Sequence, residues 1–77
     1  MNRSQQNAFK ARIAKIVARS AEKETDQVEW RIESRDSDDS GIWFQIETRV
    51  TNPEDDFESG WAWADGFGIG PRGKIYG

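Results

Sequence analysis

Asp36, Asp38 and Ser40, followed by Gly41 and then Glu47, have the spacing of a calcium-binding loop. Ca²⁺ takes several hard oxygens from one tight turn, and this pattern offers two carboxylates, a hydroxyl, a turn glycine and a distal carboxylate. The surroundings argue against it. A calcium loop of this type lies between two helices, whereas residues on both sides alternate apolar and polar with period two. Trp43 stands where an aliphatic residue normally follows the glycine, and in a hairpin Glu47 falls several residues down a strand. The better reading is an acidic, solvated turn, with no metal and no cofactor assigned.

Two further patterns carry chemistry in principle. Gly66, Gly68, Gly70 and Gly73 suggest a phosphate cradle, but no helix can follow to supply its N-terminus, and Lys74 lacks the Ser or Thr of a nucleotide loop. They read instead as a glycine-rich strand end whose small face lets a neighbouring backbone come close. Carboxylate pairs such as Asp38 and Asp39, or those of the acidic run Glu54, Asp55, Asp56 and Glu58, need a cleft that desolvates one member before they can act as acid and base. In turn-like segments of so short a chain they form an acidic surface.

What is missing matters as much. The 77 residues include no His and no Cys, which removes the commonest general base, the usual metal ligands, the thiolate nucleophile and any disulfide. Catalysis would have to run on carboxylates or lysine, and no constellation of them stands out; the chain is expected not to be an enzyme. No apolar stretch has the length of a membrane span and no targeting segment is evident, so the expected location is cytoplasmic.

Charge is unevenly spread. Residues 1–23 carry six Lys and Arg against Glu22 alone, a net +5, while residues 24–77 carry five against thirteen acids, a net −8. Such asymmetry fits self-complementarity or a partner met through one face. Arg12, Lys15, Arg19 and Lys23 recur at helical spacing and could follow a phosphate backbone, with Trp43 stacking on a base. Against this, the whole chain is acidic, with an isoelectric point near 4.8.

The elements that position these residues follow from periodicity. Ser4 is a fitting cap for a helix over residues 4–23, with Phe9, Ile13, Ile16, Val17 and Ser20 on its core-facing arc. Ala11, Ala14, Ala18 and Ala21 form a second, shallow stripe on which another protomer could pack. Strict alternation predicts strands over 28–35 and 42–50, with Val28, Trp30 and Ile32 facing Ile42, Phe44, Ile46 and Val50 on one side. Pairing Ile32 with Phe44 keeps both apolar sets together and leaves Arg31 diagonal to Glu47. Phe57 is a candidate plug at the sheet edge. A third strand over 61–65 turns Trp61 and Trp63 toward the helix, and the glycine-rich segment 66–77 ends in a short edge strand or a tail.

One domain is therefore expected: an α+β, α-β-β-β two-layer fold with an N-terminal amphipathic helix on three, or with the last segment four, antiparallel strands. By parity Trp43 faces away from the helix beside Arg31, Arg35, Gln45 and Arg49, unless Phe67 or Tyr76 covers it. Trp and Arg dominate protein-binding hot spots. The leading expectation is a non-enzymatic protein-binding module whose partner contacts are Trp43, Arg31, Arg49, Asp38, Asp39, Glu54, Asp55 and Asp56. In size and charge it matches small phage- or mobile-element inhibitors that compete for basic grooves. The alternative is a small nucleic-acid-binding domain using Arg12, Lys15, Arg19 and Lys23.

Overall fold

The computed structural model describes residues 1–21, 27–51 and 60–77. Helix α1 (Arg3–Ala21) packs on one face of an open antiparallel sheet of β1 (Gln27–Asp38), β2 (Gly41–Thr51), β3 (Ala62–Ile69) and β4 (Ile75–Tyr76), in the order β1-β2-β3-β4. The α+β class is as expected, and the last segment does form the fourth strand. Lys23, Phe57 and the acidic run Glu54, Asp55, Asp56 lie outside the described residues.

The helix begins two residues earlier than Ser4 would place it. Asn2 is the cap: its Oδ1 accepts the Gln5 N–H at 2.8 Å, and Gln5 Oε1 accepts the Asn2 N–H at 3.0 Å. This is a reciprocal capping box, satisfying two backbone donors that a helix start leaves free. The same two side chains reach the sheet. Asn2 Nδ2 donates to the Pro71 carbonyl at 2.8 Å and buried Gln5 Nε2 to the Gly70 carbonyl at 3.2 Å. Gly73, at φ +88°, closes the β3–β4 turn against Ser4, where a Cβ would press on the Ser4 carbonyl. Replacing Asn2 by Ala should therefore lower stability by about 1–2 kcal/mol, while Ser4→Ala stays near neutral. Thermal melts of the two variants check this, and equal midpoints would refute the assignment of the cap.

The core is small and aromatic. Ile13 and Ile16 of α1 meet Phe44 and Ile46 of β2 and Phe67 and Ile69 of β3, all buried. Phe9 lies between three rings, with centroids at 4.9 Å from Phe44, 5.9 Å from Trp30 and 6.0 Å from Phe67. The third strand thus runs past residue 65 into the glycine-rich segment and includes Phe67 and Ile69.

Two β-bulges rearrange the expected register. Ile32 pairs with Ile46, not Phe44, and Trp30 with Thr48; Glu33 is the extra residue on β1, after which Ser34 meets Gln45 and Arg35 meets Phe44. The extra residue reverses the parity of the strand beyond it. Arg35 consequently turns to the helix side, its guanidinium 6.0 Å from the Phe44 ring centroid, instead of joining Trp43. On β3 the extra residue is Ala64, between Asp65 opposite Ile46 and Trp63 opposite Glu47. Ala64 packs on the core, and Trp63 turns outward with 65% of its surface exposed.

The β1–β2 hairpin extends further than expected, to Asp38 opposite Gly41, so the turn shrinks to Asp39 and Ser40. Asp38 Oδ1 accepts the Ser40 N–H at 2.7 Å and the Ser40 hydroxyl, an Asx turn. The Ser40 hydroxyl and backbone N–H hold the Asp38 carboxyl below the usual carboxylate range.

Candidate functional site: the outer sheet face

The face of the sheet away from α1 carries the residues most suited to recognition. On β2, outward Trp43, Gln45, Glu47 and Arg49 follow one another by parity. Opposite them stand charges of the other sign: Arg31 directly across from Glu47, not diagonal to it, and Glu29 across from Arg49. Arg31 Nη2 lies 2.7 Å from Glu47 Oε1, and Arg49 is bonded to Glu29. Trp61 lies against both cations, with guanidinium carbons 4.3 Å (Arg31) and 4.9 Å (Arg49) from its ring centroid. A partly dehydrated indole between two guanidiniums is a favourable cation–π arrangement. Among the described residues, Arg49 Nε is buried there without a hydrogen-bond acceptor.

The glycines of β3 make room for this layer. Trp43 lies on Gly68, where a Cβ would collide with the indole, and Gln45 lies on Gly66 with its Oε1 2.8 Å from where a Cβ would stand. At Gly66 and Gly68 side chains, not a neighbouring backbone, occupy the small face, whereas Gly73 does admit the Ser4 backbone. Gln45 Oε1 accepts the Trp63 indole N–H at 2.7 Å, fixing the most exposed aromatic of the face. Tyr76 of β4 flanks Trp43 with ring centroids 6.2 Å apart, yet Trp43 keeps 42% of its surface exposed. The C-terminal strand borders Trp43 without covering it, and Phe67 is on the opposite face.

No protein-family model matches this chain, and neither does any curated protein or solved structure. The surface chemistry must speak for itself.

Of the partner-contact residues expected from sequence, Arg31 and Arg49 come together around Trp61, whereas Trp43 lies on the same face nearer the hairpin end, two residues from Gly41, which Asp38 faces, and Asp39 follows in the turn. Simple alternation places Trp61 and Trp63 on the helix side; the Ala64 bulge brings them out and enlarges the aromatic surface. One signal pointed that way: three large indoles, with Trp30, exceed what a single helix can cover.

The residues of a calcium loop do not converge. Glu47 is six strand residues below Gly41, roughly 20 Å at strand rise, and is held by Arg31. The basic flank of α1 is partly spent as well. Arg12 Nε donates to Asp65 Oδ2 at 2.7 Å, and its Nη2 donates to the Gly77 carbonyl at 2.9 Å. That ion pair is largely shielded, with side-chain exposures of 18% and 13%. Lys15 and Arg19 are exposed.

Proposed function

We propose that the chain is a non-catalytic binding module that recognises another protein through its outer sheet face. The observation that carries this reading is the grouping of Trp43, Trp61, Trp63 and Tyr76 with Arg31 and Arg49 on one sheet surface, with Trp63 65% exposed. Trp, Tyr and Arg are the residues that contribute most at protein interfaces, since each couples large apolar area to a polar handle. Rigid support adds to this. The Gln45–Trp63 hydrogen bond, the glycine seats and the Trp61 stack hold the side chains in place, so little rotamer entropy remains to be lost on binding.

A stacking platform for nucleic acid has similar aromatics, but Glu29 and Glu47 neutralise the two arginines here and the chain bears a net charge of −3. Phosphate binding is governed by that balance. The sequence also supplies carboxylates at 54–56, and the reading extends to an inhibitor whose acidic segment competes for a basic groove on its target.

Capture from host lysate, with and without nuclease, tests the reading if variants are compared. Trp63→Ala should weaken retention of the captured protein by tenfold or more, about the loss of one hot-spot residue, with an unchanged melting midpoint. Glu54→Lys with Asp55→Lys and Asp56→Lys should also weaken it if the inhibitor reading holds. Lys15→Glu with Arg19→Glu should leave retention intact. Nucleic acid in the untreated eluate, lost on the helix reversals but not on Trp63→Ala, would overturn the proposal.

A further inference from the structure

Among the described residues, the helix side of the sheet is not fully covered. Strand β1 is an edge of the sheet, and its inward side chains Trp30 and Ile32 remain 41% and 42% exposed. Beside them an apolar groove of about 460 Å³ runs between Trp30 and α1, lined chiefly by Phe9, Ile13, Ala14, Val17 and Ala18. An edge strand offers a row of free backbone N–H and C=O groups, and proteins that keep such an edge solitary protect it with bulges or inward charges. β1 has both devices, the Glu33 bulge and the inward Arg35, and both lie in its distal half. Residues 27–32 have neither.

We infer that a second copy of this chain pairs with β1 through residues 28–32, antiparallel about a two-fold axis at Trp30. The charge pattern selects this register. With Trp30 opposite its own counterpart, Val28 faces Ile32 on the inner side, and on the outer side Glu29 of each copy faces Arg31 of the other. Moving the axis by one residue sets Glu29 against Glu29 or Arg31 against Arg31. Like charges directly opposite on a sheet are unfavourable, whereas opposite charges and facing aromatics stabilise the pair. The two sheets become one of eight strands, with both helices on the same side. A specific dimer buries about 1,000 Å² or more in total, which five paired residues do not reach alone. The groove supplies the remainder: Ala14 and Ala18, both exposed, let the second copy approach α1 closely beside Trp30.

Two charge variants test this pairing. Glu29→Arg leaves positive residues at both 29 and 31, and Arg31→Glu leaves negative residues at both. Each alone should dimerise at least tenfold more weakly than wild type by sedimentation equilibrium, since two cross-strand pairs turn repulsive. Mixed in equal amounts, they should regain wild-type association as a heterodimer. Strain within each chain, from the loss of the Glu29–Arg49 or Arg31–Glu47 pair, is not relieved by mixing, so recovery reports contact between copies. A mixture no more associated than its components overturns the inference. So does a wild-type chain that stays monomeric up to about 1 mM, the weak end of specific association. If either variant fails to fold, amide exchange on the wild type decides. The amides of 28–32 slow with rising concentration if the inference holds and are indifferent to concentration if it fails. Trp63→Ala leaves dimerisation unchanged, which separates this surface from the outer face.

Discussion

Phe44→Ala should remove most of the stability of the chain. Phe44 is 1% exposed, at the centre of the buried aromatic cluster of the core, with Phe9 and Phe67 rings at 4.9 and 5.5 Å. Truncation of a fully buried Phe removes its transfer free energy and leaves a cavity, together costing about 3–5 kcal/mol. A domain of this size has roughly 5 kcal/mol to lose. The neighbours cannot collapse to fill the space, because Phe67 is anchored by strand pairing to β2 and Phe9 by the helix. Urea titration followed by far-UV circular dichroism gives the comparison. A midpoint shift equivalent to under about 1 kcal/mol would show that the core is not organised around this ring.

The second large effect is expected at Gly41. This residue has φ +148°, a conformation that side-chain-bearing residues rarely adopt, and its missing Cβ would press into the Ile69 carbonyl oxygen. Alanine there meets backbone, not a yielding side chain, so β2 and β3 must separate where Ile42 pairs with Ile69. Strained backbone of this kind costs about 1–3 kcal/mol, and disturbed pairing adds to it. Gly68→Ala is the instructive comparison, since its new methyl meets the Trp43 indole, which can swing toward solvent. Gly41→Ala should lower the thermal midpoint well beyond Gly68→Ala, and Gly68→Ala should change tryptophan emission more. Equal midpoints for the two variants would mean that the hairpin end is not held against β3.

Much of this architecture is written in periodicity. The α1 stripe, the alternation of β1 and β2 and the glycine-flanked β3 each declare their element, because burial of one face imposes a period that side-chain polarity reveals. The bulges are not so declared. An extra residue such as Glu33 or Ala64 leaves polarity nearly unchanged while reversing everything beyond it, and it is fixed by pairing between strands distant in sequence. That is why alternation alone places Trp61, Trp63 and Arg35 on the opposite faces, and why the outer aromatic surface is larger than alternation allows. The cap illustrates a different gap. Asn2 and Ser4 are both good capping types, and the choice falls to Asn2 because its side chain also reaches Pro71, which no local pattern records.

The tie between the first helical turn and the last strands bears on how the chain reaches its fold. Asn2 to Pro71, Gln5 to Gly70 and Arg12 to Asp65 join residues separated by 69, 65 and 53 positions. Closing loops of that span costs entropy before the contacts return any enthalpy, so topologies of this kind fold on millisecond and slower scales despite a local helix that forms far sooner. During synthesis α1 leaves the ribosome before β3 and β4 and must wait for them. Over that interval Phe9, Ile13 and Ile16 stay open to whatever else is near, and the crowded surroundings of a nascent chain become part of its folding problem.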